Sequence, residues 1–251
     1  MNTKPILFYD IASGPPKRTF APNPWKTRYA LNVKSAEYET RWVELPEVES
    51  TRRALGVAPV RKLPNGEDFY TLPVIHDTSN GIFVGDTFDI ALYLDEKYPN
   101  ATELIPKSSV GLMSVFNAKV DAIFTPSAAI FAHGMPLNPE TAEQTKTKFV
   151  ARAKQFGSQA TTWEEMRPKG EFRKSLFDNL KIGLSDLAKS YRFRDKGPFL
   201  EGDKLTYADL IVGGWLACLS IALEEWDEVA SYDDGLWGKL HEALQKYAEI
   251  K

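Results

Sequence analysis

The chain has 251 residues, 43% hydrophobic and 26% charged, enough for two packed domains of an ordinary globular protein. A formal net charge of −3 gives no global attraction to nucleic acid or to an anionic membrane. The single cysteine, Cys218, excludes an intrachain disulfide framework or CxxC redox centre, and His76, His133 and His241 lack metal-ligand spacing.

In chain order, residues 6–9 are a short apolar run ended by Asp10 and read as a buried strand. A polar, Pro-rich loop covers 13–22. Asn23 followed by Pro24 predicts a helix, with Asn23 as N-cap and Pro24 at the first helical position. A second strand is predicted at 40–44 and a short helix at 47–55, ended near Gly56. Residues 57–70, with two prolines and little periodicity, read as a loop. Two apolar runs, 71–76 and 81–84, flank an Asn80-Gly81 hairpin turn. A helix over 87–98 carries Ile90, Leu94 and Tyr98 at helical spacing and stops at Pro99. Strand, helix, strand, helix, hairpin, helix is the order of a thioredoxin-like α/β unit, assigned to residues 1–99. A linker is expected at 100–109.

From 110 to 251 the patterns are helical throughout, which predicts an all-α second domain. Thr206 with Asp209 three residues later forms a capping box, with Leu205 and Leu210 as a hydrophobic staple. The nearly apolar helix behind it, to about Ala222, is expected at the centre of that domain. The N-terminus has no secretory apolar stretch and no apolar run is long enough to span a bilayer, so a cytoplasmic location is expected.

Two short motifs could carry chemistry. In Leu72-Pro73-Val74, a proline before a buried strand cannot donate a ladder hydrogen bond. A trans peptide there is an ordinary strand start; a cis peptide would present the Leu72 backbone to that of a bound peptide. In Gly85-Asp86-Thr87-Phe88, a helix N-terminus offers free N–H groups to a carboxylate, and the adjacent acid suits an ammonium. A γ-glutamyl group carries both. Asp86 equally reads as a helix cap.

Taken together, the thioredoxin-like order, the Leu72-Pro73-Val74-Ile75 strand, the Asp86-Thr87 pair opening a helix and the Thr206–Asp209 capping box resemble the cytosolic glutathione transferases over essentially the whole chain. Residues 22–31 and 93–99 resemble the etherase-type branch, which includes bacterial lignin β-aryl etherases and fungal transferases that accept or bind bulky aromatic compounds. The resemblance implies glutathione as co-substrate, small hydrophobic or aromatic molecules as acceptors, and a homodimer. It places Leu72 and Pro73 at the cysteinyl backbone of glutathione and Asp86 and Thr87 at its γ-glutamyl end. Lys62 would face its glycyl carboxylate, although Arg61 is equally placed.

One position departs from that branch. The serine expected before the proline is Ala21, so the hydroxyl that would steady a glutathione thiolate is missing. The resemblance to fungal nitrogen-regulator-like transferases makes Asn23 the substitute, because an amide has two N–H donors; as a plain N-cap it would do nothing more. Ser13 and Thr19 are further hydroxyls in the same loop. An acceptor site is expected between the domains, with Phe20, Trp25, Phe116, Phe124 and Phe131 as candidates, each equally readable as core. Trp163, Trp215, Trp226 and Trp237 read as core or surface anchors. Three functions stay open: thiolate attack on an electrophilic aromatic compound, with an aryloxide as one leaving group; a carrier of aromatic ligands with weak or lost catalysis; and glutathione-dependent reduction of disulfides or peroxides.

Overall fold

The structure, a computed structural model, describes residues 5–251. A four-stranded mixed sheet is built from β1 (Ile6–Ile11), β2 (Tyr38–Val43), β5 (Val74–Asp77) and β6 (Ile82–Val84), in the order β2-β1-β5-β6. β2 runs parallel to β1; β5 is antiparallel to β1 and β6 to β5. Phe8 on the central strand is paired to Thr40 on one side and Ile75 on the other, and is fully buried. Helices α1 (Pro22–Val33), α2 (Val48–Ala54) and α3 (Thr87–Lys97) complete this half. These elements lie within three residues of the sequence-based bounds, except at two places.

The first exception is the start of α1. Ala21, not Asn23, is the N-cap, with no side-chain hydrogen bond, and Pro22 is the first helical residue. A capping side chain has little to satisfy here. Pro22 and Pro24 carry no N–H, and the Trp25 amide already donates to the Ala21 carbonyl at 3.2 Å. Asn23 therefore sits inside the first turn with its amide free for other work. The second exception is the expected loop at 57–70, which contains a small hairpin of β3 (Arg61–Lys62) and β4 (Asp68–Phe69), turned at Gly66 with φ +84°. Strands of two residues are too short to show alternation in sequence.

The remaining helices are α4 (Val110–Phe124), α5 (Ala128–Phe131), α6 (Ala142–Gln155), α7 (Gly170–Ala188), α8 (Tyr207–Ala222) and α9 (Trp226–Leu244). α9 is broken between Tyr232 and Gly235, where Asp233, Asp234 and Gly235 all have positive φ. α8 is buried along most of its length and opens on the expected capping box, with the Thr206 amide donating to Asp209 at 2.8 Å. Burial pushes the Asp209 carboxyl up to about 6, against the pull of donors from Leu200 and Thr206.

α1 is sandwiched between the sheet and α8, which explains three polar residues buried in its middle, Lys26, Thr27 and Arg28. Gly214 on α8 permits the approach: a Cβ there would stand 2.6 Å from the Pro22 carbonyl oxygen and 2.6 Å from Lys26 Cγ. Arg28 pairs with Asp10 at 2.9 Å and donates to Thr19. Lys26 crosses to the helical half and pairs with Asp121 of α4 at 2.9 Å. The chain between α3 and α4 is pinned as well, because Asp95 accepts from the amides of Leu104 and Ile105 and the Leu104 carbonyl accepts from the Tyr207 amide. Among the described residues no helix is long and apolar enough to cross a membrane, and no cluster of metal-ligating side chains occurs.

Candidate functional site

A cavity of about 390 Å³ lies where the N-termini of α1 and α3 and the start of β5 meet the helical half. Three short stretches of the first half supply one wall. At the start of β5 the Leu72-Pro73 peptide is cis, and the Leu72 amide donates to no backbone carbonyl among the described residues. At the head of α3, Asp86 is the N-cap, exposed, and accepts from the Phe88 amide at 2.9 Å. Thr87 behind it is buried, and its carbonyl accepts from the Tyr207 hydroxyl of α8 at 2.7 Å. At the head of α1, Asn23 is half-buried, lines the cavity, and makes no side-chain hydrogen bond among the described residues. Leu72, Pro73, Asp86, Thr87 and Asn23 are thus brought to one cavity.

What holds these stretches in register is Arg52 of α2, only 3% exposed. Its guanidinium donates to the carbonyls of Ala58 (2.8 Å), Thr71 (2.6 Å) and Gly85. Two of these carbonyls immediately precede Leu72 and Asp86. Burial lowers the Arg52 pKa, while the nearby Asp86 charge opposes the shift. Gly85 is required by this packing, since a Cβ would stand 2.3 Å from Val57 Cγ1 and 2.8 Å from Arg52 Nη2. Sequence inspection passes over Arg52 because its partners are backbone carbonyls, which every residue possesses.

Other candidates are placed elsewhere. Lys62 is 70% exposed at its side chain and pairs with Asp68 at 2.6 Å. Of the two basic candidates it is Arg61 that lines the cavity, together with Arg52, and its guanidinium lies over the Phe69 ring at 5.0 Å. Ser13 is buried and bonded within its loop, and Thr19 is spent on Asp10 and Arg28, so neither hydroxyl is free. Among the aromatic residues, Phe20, Trp25 and Phe124 are core, with Trp25 stacked on Tyr29; Phe131 is buried, and Phe116 packs half-buried on the helical core. None of the five is on the cavity wall. The aromatic residues there are Phe69 and Trp215 instead; Trp215 shows only its margin, 7% exposed, and is backed by Phe124 in a parallel stack at 5.2 Å and by the Phe131 edge at 6.4 Å. Asp121 and Thr125 of the helical half complete the wall. Burial pushes the Cys218 thiol up to about 12, so the chain's own sulfur is inert.

A thioredoxin-like half that offers an unpaired backbone amide and two helix N-termini, roofed by an all-helical half, defines the class of glutathione-binding transferases. The comparisons agree. Residues 20–97 match the glutathione S-transferase N-terminal domain and residues 114–247 the glutathione S-transferase C-terminal domain. The chain belongs to the glutathione S-transferase family. Among solved structures it is similar to the glutathione S-transferase CsGST63524 of Ceriporiopsis subvermispora in complex with glutathione, with 32% identity, 99% of each chain covered and a TM-score of 0.87. The glutathione transferase GSTFuA3 of Phanerochaete chrysosporium is 29% identical, with 100% of each chain covered and a TM-score of 0.87. The glutathione S-transferase-like protein ustS of Aspergillus flavus is 27% identical over 262 residues, spanning 98% of this chain and 91% of that protein. Glutathione is accordingly the co-substrate.

Proposed function

We propose that this chain transfers glutathione to bulky aromatic electrophiles, with Asn23 steadying the thiolate. The observation that carries the reading is the Asn23 side-chain amide, without a hydrogen bond among the described residues, on the wall of the cavity that Leu72 and Asp86 also line. A free thiol has a pKa near ~8.5, so a thiolate at neutral pH needs donors aimed at it. With Pro22 and Pro24 removing N–H groups from the first turn, the Asn23 backbone amide and its side-chain NH₂ are the donors at that helix N-terminus. The γ-glutamyl carboxylate then lies at the head of α3, with its ammonium against Asp86. The cysteinyl backbone pairs with Leu72, and the glycyl carboxylate faces Arg61 rather than Lys62.

In the reaction the thiol gives its proton to water and the thiolate attacks an electrophilic carbon of an acceptor resting on Trp215. A carbon–sulfur bond forms and the bond to the leaving group breaks. In the aryl ether case the departing aryloxide takes a proton from water. Asn23→Ala tests this. The glutathione thiol pKa, followed by thiolate ultraviolet absorbance in the complex, should rise, and kcat/KM at neutral pH should fall about 10- to 100-fold, with glutathione affinity held within a few fold. An unchanged thiol pKa refutes the role of Asn23.

A second reading, a carrier of aromatic ligands with weak catalysis, is favoured by Ala21, which leaves the α1 N-cap without a hydroxyl. It predicts aromatic binding without turnover. We place the chain in the cytoplasm; the homodimer, a separate reading, is supported by the exposed apolar residues Leu112 and Val115 one turn apart on α4.

A further inference from the structure

The cavity holds a second carboxylate that the handling of glutathione leaves unused. We propose that Asp121 selects acceptors bearing an O–H or N–H donor on the aromatic ring; this rests on the transferase reading above.

Asp121 lies one turn before the end of α4, and its side chain is 38% exposed toward the cavity it lines. It is fixed by donors from three helices. Oδ1 accepts from Lys26 Nζ of α1 at 2.9 Å and from Trp215 Nε1 of α8 at 2.9 Å. Among the described residues Oδ2 accepts only from Asn117 Nδ2, at 3.3 Å. A carboxylate has about four lone-pair sites, so Oδ2, with one long donor, has acceptor capacity to spare on a side chain that lines the cavity. Lys26 is fully buried and Trp215 is locked by its stack on Phe124, so the carboxylate cannot turn away. Thr125, one turn further on, adds a hydroxyl with no hydrogen bond among the described residues. This polar pair lines the same cavity as Trp215 and Phe69, against which an aromatic acceptor would lie.

An acceptor that covers Asp121 strips water from an ionised oxygen. A ring ending in a methyl group replaces that water with nothing, and the unmade hydrogen bond counts against binding. A ring ending in a hydroxyl donates to Oδ2 and restores it. Sites built this way discriminate against isosteres that lack the donor far better than apolar pockets discriminate by size. The expected preference is on the order of ten- to a hundredfold.

The probes are glutathione S-conjugates of ortho-, meta- and para-hydroxybenzyl groups, each paired with its methylbenzyl counterpart. Their affinities are measured by calorimetry, so no turnover is required. In the wild type at least one hydroxyl isomer should bind tenfold or more tightly than its methyl partner. Asp121→Asn alone would leave Lys26 buried without its counter-charge, so the test variant is Lys26→Met with Asp121→Asn. There the ratio should fall close to one, with the affinity for glutathione itself within about twofold of wild type. Asp121→Glu keeps a partner for Lys26 and should lower the same ratio about fivefold or more by displacing the carboxylate, which covers the case in which the double variant does not fold. Hydroxyl and methyl conjugates within about twofold of one another throughout the wild-type series overturn the proposal. So does a ratio that survives in both variants, and so does a tenfold loss of glutathione affinity in the folded double variant, which would assign the acid to the tripeptide. Failure of glutathione and of every conjugate to bind overturns the transferase reading as well, and is distinct from a flat ratio among conjugates that do bind.

Discussion

Replacing Arg52 with Met keeps much of the side-chain volume and removes every donor. The wild-type guanidinium donates to three carbonyls, those of Ala58, Thr71 and Gly85. A hydrogen bond from a charged donor contributes about 1.5–3 kcal/mol. Three of them cannot be summed, because removing the charge also removes the cost of burying it, the same cost that lowers the Arg52 pKa. Part of the loss is recovered further if water reaches the Thr71 and Gly85 carbonyls beside the cavity. The expected net destabilisation is about 3 kcal/mol, read by urea unfolding. Glutathione binding should suffer too if the proposed site is right, because Thr71 and Gly85 are the residues before Leu72 and Asp86, and loosening both stretches separates the two ends of that proposed tripeptide site. A loss of about 1.5–3 kcal/mol in binding corresponds to a Kd weakened about 10- to 100-fold by calorimetry. Arg52→Lys keeps the charge but not the fork and should fall between the two. If Arg52→Met binds glutathione within about twofold of wild type and unfolds within about 1 kcal/mol of it, Arg52 does not brace the site.

Ala21→Ser should add about 0.5 kcal/mol or less to stability, because Pro24 offers the new hydroxyl no N–H and only the Asn23 amide remains to be capped; a gain in turnover above about tenfold would return the thiolate to the hydroxyl and away from Asn23. Gly214→Ala should destabilise by about 1–3 kcal/mol or more in thermal unfolding, since its methyl would meet the Pro22 carbonyl and Lys26 Cγ at 2.6 Å; a neutral effect would mean α1 and α8 can part. Asp209 titrates at about 6 in the folded chain, above the ordinary carboxylate value of about 3.9. Between those values the folded protein keeps a proton that the unfolded chain has released. Its contribution is therefore fully present below about pH 4 and is lost as pH rises to about 6, a fall on the order of 2–3 kcal/mol. The stability of wild type relative to Asp209→Asn, measured by urea unfolding across that range, should decline by this amount; an unchanged difference refutes it.

The motifs legible in the sequence are those whose physics is local. Asp86 at the head of α3 and the capping box of Thr206 and Asp209 each depend on residues within three positions, and their partners are fixed by helix geometry. The start of α1 defeats the same logic because two prolines occur in three residues, and either could be first in the helix. Choosing Pro22 requires the extended Ala21 and its contact with Trp25, which tertiary packing against α8 supplies. Arg61 and Lys62 are adjacent in a two-residue strand, where alternation sends one side chain to the cavity and its neighbour to Asp68, and nothing local says which. The aromatic wall was illegible for a similar reason. Trp215 and Phe124 stack on each other from α8 and α4, and only the direction in which the pair faces the cavity makes one the surface and the other its backing.

Tyr207 belongs to the helical half, yet its buried hydroxyl holds the Thr87 carbonyl beside the proposed glutathione site. Lys26 reaches the opposite way, from the glutathione half into the acid of α4. The two halves therefore trade one residue each across their boundary, and neither is a free-standing module. A hybrid that kept residues 5–97 and took its helices from a relative would need a donor for the Thr87 carbonyl and an acid for Lys26. A change along α8 that displaced Tyr207 would leave the Thr87 carbonyl without its donor, although Tyr207 itself is not on the cavity wall.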